Sequence, residues 1–263
     1  MREQEIARQK EKARKKRKNV IIASILVVVS VLSIIHVIEF NYVSHVNDGD
    51  KTTTSVNTIP WGKVFLASKS LKSTSVNIYY VSWLGCPIGA VDSWAFYLSL
   101  STKLNISHEI SFHSSDTNDV FPNTPGLIFG NVTGNGISLH STYVYGNATN
   151  LTVYGDQYQG TAIEYANRVL QNELPTPIYN LEINLTEKVP VQGRGVPSAY
   201  LSAYPHLNTN VILTTKNGTF MLNGPLYSPS LLQGLSPVTV YDNLSKYAFI
   251  NTAAAELSSY INE

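Results

Sequence analysis

Val20 to Ile38 reads VIIASILVVVSVLSIIHVI and carries no Lys, Arg, Asp or Glu. A helix over residues 20–40 rises about 30 Å at ~1.5 Å per residue, enough to cross the hydrocarbon core of a bilayer. The run is longer than the about 7 to 15 apolar residues of a cleaved leader, so an uncleaved anchor is expected. His36 near its end has no assigned role. Residues 41–62 have few apolar positions and a Thr/Ser cluster, the pattern of a tether. The folded domain is expected over residues 63–263.

Within that domain Val76 to Leu84 (VNIYYVSWL) is β-branched and aromatic throughout, as a strand buried on both faces would be. Gly85, Cys86 and Pro87 follow, and Pro suits the first turn of a helix, where its missing N–H costs nothing. Val91, Trp94, Ala95, Leu98 and Thr102 then recur on one helical face, which places Cys86 at the helix N-terminus. Ile106, His108, Ile110 and Phe112 alternate with polar residues and predict a second strand. Gly126–Gly130 and Ile137–Gly146 predict a hairpin turning at Gly134-Asn135-Gly136. Tyr158, Ala162, Tyr165, Ala166, Val169 and Leu170 share a helical face that Pro175 ends. Residues 175–208 carry five Pro and predict no regular element. Val211–Thr215 and Thr219–Asn223 flank Lys216-Asn217-Gly218 as a hairpin, Ser236-Pro237 starts a helix, and Phe249–Ile261 closes the chain as another.

Charge changes the picture at one end. Residues 1–19 hold nine Lys/Arg against Glu3, Glu5 and Glu11, while the rest of the chain is net acidic. A basic head suggests nucleic acid, but basic residues directly before an apolar span mark the cytoplasmic side instead. The expected partner of the head is therefore the lipid bilayer and not nucleic acid. Residues 41–263 are expected outside the cytoplasm of a single-pass protein. Charged residues make up only 14% of the chain, too few for a coiled coil or a charge-driven disordered protein. The single cysteine excludes an intrachain disulfide, a CxxC zinc site and a dithiol pair.

Three local motifs carry a resemblance. Cys86, Pro87, Ala90, Trp94 and Ala95 fit C-P-x-x-A-x-x-x-W-A. His113–Asp116, Asp119, Val120 and Pro122–Pro125 fit H-S-S-D-x-x-D-V-x-P-N-T-P. Tyr227–Ser236 reads Y-S-P-S-L-L-Q-G-L-S. With these motifs the chain resembles the uncharacterised prokaryotic family catalogued as domain of unknown function 929, placed near thioredoxins, whose archaeal members are often membrane-anchored. The resemblance implies an α/β, thioredoxin-like domain with an inserted hairpin and helix. Many relatives carry a second Cys where this chain has Gly89. The thioredoxin fold also usually sets a cis-Pro before its late hairpin. Here that segment reads Leu207-Asn208-Thr209-Asn210-Val211, and Pro205 lies too far upstream.

The chemistry thus narrows to Cys86, flanked by Pro87, Gly89 and Trp94. A helix N-terminus favours a thiolate, so Cys86 is a possible monothiol nucleophile. Without a resolving thiol it cannot release a mixed disulfide by itself. The bland alternative is a small buried packing residue, and a third is a disulfide to a second copy. His113, Asp116 and Asp119 sit close in sequence, but carboxylates in turns more often form caps and Asx-turns, so no metal is expected, nor any cofactor. Sequons at Asn105, Asn131, Asn147, Asn150, Asn184, Asn217 and Asn243 all lie on the expected outer side. The leading expectation is an anchored extracytoplasmic module that binds envelope or exported proteins. A monothiol oxidoreductase or isomerase and a structural surface glycoprotein are the alternatives.

Overall fold

The computed structural model describes residues 58–262. The basic head, the apolar span at 20–40 and the tether up to residue 57 lie outside the described residues. Among the described residues no helix is long and apolar enough to cross a membrane.

Eight strands and five α-helices are described: β1 (Val64–Ser68), β2 (Val76–Ser82), α1 (Pro87–Ser101), β3 (Ile110–Ser114), β4 (Pro125–Phe129), β5 (Val132–Gly134), β6 (Ile137–Tyr143), α2 (Ala162–Glu173), α3 (Thr176–Glu187), β7 (Asn210–Thr215), β8 (Gly218–Asn223), α4 (Pro237–Asp242) and α5 (Ala248–Ile261). Six strands form one sheet in the order β1-β8-β7-β2-β6-β5, and β3 and β4 pair separately. β2 runs parallel to β6 and antiparallel to β7, which turns back into β8.

Both faces of this sheet are covered, which explains the apolar runs in β2 and β7. Ile78, Tyr80, Val211, Leu213 and Leu222 point into a core shared with α1 and α5. Tyr79, Val81, Ile212 and Met221 point the other way, into a core with Leu170 of α2 and Ile178 and Leu185 of α3. The folded body reaches upstream of Lys63: Ile59 is fully buried, and its N–H bonds Pro190 O at 2.9 Å.

Four local readings need correction. First, α1 is buried on nearly all sides and not on one stripe, because it lies between the sheet, α5 and β4. Gly126 lets β4 approach; a Cβ there would stand 2.4 Å from Ala90 Cα. Second, Ile106–His108 is a 3-10 turn, and the strand begins at Ile110. Ile106 is drawn into the core beneath α1, while Phe112 stays 47% exposed because the two-stranded sheet covers only one side. Third, Gly126–Gly130 does not pair with Ile137–Gly146. Its strand pairs with β3, and the Gly134-Asn135-Gly136 turn joins β5 to β6. Asn135 and Gly136 both have positive φ, as a two-residue type I′ turn requires.

The fourth correction concerns residues 175–208, which contain the helix α3. Pro175 and Pro177 open this helix and do not merely end α2. Its buried face is Ile178, Glu182, Leu185 and Thr186, half of it polar, so the apolar period is masked. The remaining local readings of helix starts and the late hairpin hold closely. α2 carries a full capping box between Thr161 and Glu164, Ser236 caps α4 through Thr239 N at 3.0 Å, and Lys216-Asn217 closes the late hairpin.

Candidate functional site

Cys86 sits where the sequence puts it, as the N-cap of α1 with Pro87 in the first turn. Its sulfur accepts the Gly89 N–H at 3.5 Å and the Thr209 hydroxyl at 3.0 Å. Ser82 Oγ lies 2.8 Å from Thr209 Oγ1. Thr209 has one proton and gives it to sulfur, so the short bond is donated by Ser82, whose longer 3.4 Å contact to Trp83 O competes for the same proton. The relay therefore runs Ser82 to Thr209 to Cys86, all three buried.

Burial decides the state of this thiol. Cys86 is 2% exposed. Loss of water pushes its pKa from 9.0 up to about 11; the Thr209 and backbone hydrogen bonds recover only part of that rise, and the distant Asp119 charge adds to it. The helix N-terminus does not overcome desolvation here. The turn is also sealed. Leu84 N bonds Tyr145 O at 3.1 Å, Gly85 N bonds Gly146 O at 3.1 Å, and Asp116 N bonds Gly85 O at 3.0 Å.

Gly89 faces the same relay. A Cβ at Gly89 would stand 2.2 Å from Ser82 Oγ and 2.9 Å from Thr209 Oγ1. The space a second thiol needs is taken by two hydroxyls. Trp94 is fully buried, and its Nε1 donates to Pro125 O at 2.8 Å, so it ties α1 to β4.

The three sequence motifs converge on this end of α1. In the second, Asp116 Oδ1 accepts Asn118 N at 2.9 Å and Asp119 Oδ1 accepts Phe121 N at 3.2 Å, both Asx-turns. Ser115 and Thr124 close the same loop: Ser115 N bonds Thr124 O at 2.8 Å, and Thr124 N bonds Ser115 Oγ at 2.9 Å. His113 is half-buried and its pKa is lowered by desolvation, while His108 is exposed. Among the described residues no three His, Cys, Asp or Glu group as metal ligands. In the third motif the Tyr227 hydroxyl donates to Val91 O at 2.5 Å, and Gly234 N bonds Asn123 O at 3.2 Å.

Beside the Cys86 turn lies a groove of about 610 Å³ lined by Thr149, Asn150, Gln157, Tyr158, Gly160, Ala162, Tyr204 and Pro205. No charged side chain lines it. Trp83, Tyr145, Tyr158 and Tyr165 form an aromatic train from the turn to the groove, the last two stacked 4.0 Å apart. Tyr204 on its rim is 83% exposed.

Six of the sequon asparagines, at 105, 131, 147, 150, 184 and 217, are exposed, with Asn217 at the hairpin tip as expected. Asn243 is half-buried and its amide is used on both sides, donating to Thr239 O at 2.8 Å and accepting from Lys246 Nζ at 2.6 Å.

Two buried acids carry no motif. Asp92 in α1 is fully buried; its Oδ1 accepts Leu226 N at 2.8 Å, and desolvation raises its pKa well above the carboxylate range. Glu182 in α3 is fully buried too, and desolvation lifts its pKa to about 8. The only sequence signal for either is an acid at an apolar-face position, Asp92 beside Val91 and Glu182 between Ile178 and Leu185.

No curated protein and no solved structure matches the chain. A family model described as a domain of unknown function, DUF929, matches residues 66–263, and the chain belongs to that family.

Proposed function

We propose that residues 63–263 form a thioredoxin-like binding module on the outer side of a membrane, and that this module engages exported or envelope proteins without a dithiol cycle. The observation that carries the reading is the Cys86 site. Its thiol is buried, bonded to Thr209 and held protonated, and Gly89 leaves no space for a resolving thiol. Support for the thioredoxin-like part comes from connectivity. β2 leads into the Cys-capped α1; β6, reached after β3, β4 and β5, lies parallel beside β2; and a late antiparallel hairpin follows on the other side of β2. Thr209, one residue before β7, stands against Cys86. The neutral groove beside it offers amide and hydroxyl groups with tyrosine faces, a lining suited to an extended polypeptide. The monothiol oxidoreductase, by contrast, needs a sulfur that reaches solvent.

Photocrosslinker placed at Tyr204 of the full chain in its native membrane tests the reading. Crosslinks to exported proteins are expected to persist at the same yield in Cys86→Ser. Loss of crosslinking in that variant, or Cys86-dependent reduction of a disulfide-bonded peptide, would hand the site to the enzyme reading. Topology has its own check. Protease added outside intact cells is expected to remove residues 63–263 and leave the N-terminal basic segment. Digestion only after permeabilisation overturns the outward placement.

A further inference from the structure

Among the described residues four strand edges end the two sheets, and three of them are blunted or capped. In the six-stranded sheet β5 is only three residues long, and β1 is broken by a register shift between Leu66 and Ser68 and flanked by Lys63 and Lys69. Short strands, bulges and lysines are the usual devices that keep a free edge from pairing. In the two-stranded sheet the outer edge of β4 is capped by side chains. Ser93 Oγ accepts Leu127 N at 2.8 Å, the Tyr143 hydroxyl accepts Phe129 N at 2.8 Å, and Trp94 Nε1 donates to Pro125 O at 2.8 Å.

β3 has none of these devices. Its five residues, Ile110-Ser111-Phe112-His113-Ser114, include no Lys, no Pro and no register shift. In an antiparallel strand successive residues turn both backbone groups alternately toward a neighbour and away from it. Glu109 O accepts Gly130 N and Ser115 N donates to Thr124 O, so the odd-numbered residues face β4. Ile110, Phe112 and Ser114 therefore turn N–H and C=O to the open side, and no described group bonds them there. Asp116, next in that row, gives its N–H to Gly85 O at 3.0 Å and ends the free stretch. The Phe112 ring stands exposed at this edge, 5.3 Å from Tyr241 of α4, and Leu235 and Val238 at the start of α4 are exposed as well.

We propose that this edge pairs with the same edge of a second copy, β3 antiparallel to β3, about a two-fold axis at Phe112. In that register Ile110 lies opposite the partner's Ser114 and Phe112 opposite the partner's Phe112, so every outward residue exchanges both of its backbone bonds. A slip of two residues leaves one outward residue of each copy unpaired. The occupant follows from closure. The joined sheet reads β4-β3-β3-β4, and its outer edges are the β4 edges that Ser93, Trp94 and Tyr143 already cap, so association stops at two. A foreign strand would bring an open edge of its own. Charge agrees. β3 holds no Asp, Glu, Lys or Arg, so the axis opposes no like charges, and His113, whose pKa desolvation lowers, lies opposite the partner's Ser111. One short strand and one aromatic ring a side make an interface below the ~1,600 Å² of standard complexes, so the dimer is weak and concentration-dependent.

Sedimentation of the full chain in detergent over a wide concentration range tests this. Wild type is expected to pass from monomer to dimer in the micromolar range. Ser114→Pro removes an outward N–H that β4 does not use. It is expected to fold as wild type does and to weaken the dimer at least ~tenfold, because the axis makes each substitution remove two hydrogen bonds. Phe112→Lys and Phe112→Glu are each expected to be monomeric and to dimerise when mixed, since the axis sets residue 112 against itself. A short bismaleimide is expected to link Phe112→Cys chains and not Tyr154→Cys chains, although Tyr154 is the more exposed residue. A wild type that stays monomeric at every concentration, or a dimer that Ser114→Pro and Phe112→Lys leave intact, overturns the proposal. Crosslinking from residue 112 to a different protein in native membranes, with the purified chain monomeric, would give the edge to a foreign strand and overturn it equally.

Discussion

Trp94→Ala is expected to destabilise the folded chain by about 3–5 kcal/mol, the range for removing a fully buried aromatic. The side chain is 0% exposed at the centre of the core between the sheet, α1 and α5. Its truncation also strips Pro125 O of the 2.8 Å indole hydrogen bond and leaves a buried carbonyl bare. Because α1 carries Cys86 at one end and packs on β4 along its length, the loss spreads to the site through the helix. Trp94→Phe keeps most of the apolar volume and forfeits the hydrogen bond, so a loss of roughly 1–3 kcal/mol is expected. Urea unfolding followed by circular dichroism measures both, read as a change in midpoint at constant slope. A Trp94→Ala loss below about 1 kcal/mol would contradict the packing described.

Much of this helix and its surroundings was legible in the residues. β2 was visible as a doubly buried run, α1 from the Cys-Pro start, and the late hairpin from Asn217-Gly218 flanked by apolar stretches. Local chemistry dictates each of these, and it dictates them without reference to the rest of the chain. Partner choice between strands is not local. The turn at Asn135-Gly136 was readable, but nothing near Gly126–Gly130 states that its strand pairs with β3 and leaves β6 to β5 and β2. α3 was hidden for a different reason. Its buried face carries Glu182 and Thr186, and a polar residue on a buried face breaks the only period that reveals a helix. At Cys86 the residues showed position and capping; they did not show burial. Whether desolvation or the helix N-terminus sets the thiol depends on Tyr145, Gly146 and Asp116 closing over the turn, and those contacts are long-range.

That competition has a measurable outcome. The chain has one cysteine, so every alkylation event reports Cys86. A pKa raised from 9.0 to about 11 lowers the thiolate fraction at neutral pH by roughly a hundredfold. At 2% exposure the sulfur must also wait for the fold to open before a reagent reaches it. Alkylation of the folded full chain near pH 7.5 is therefore expected to be at least ~100-fold slower than in denaturant, the thiolate deficit alone setting that floor. The dependence of stability on pH follows from the same rise. The folded state holds the thiol proton more tightly than the unfolded state. Its contribution is complete below the unfolded value of 9.0 and is lost as pH rises through the window up to about 11. Wild type is thus expected to lose roughly 2–3 kcal/mol more than Cys86→Ser between those limits, since each tenfold gain in proton affinity is worth about 1.4 kcal/mol. Buried tyrosines also weaken the fold in that range: at Tyr79, whose pKa burial raises, the effect is common to both proteins and cancels, whereas at Tyr80, raised by burial first and also by the Cys86 charge, it adds to the wild-type loss. Rapid labelling with a midpoint below about 8.5 would mean a poised thiolate, and the binding-module reading would give way to monothiol exchange at Cys86.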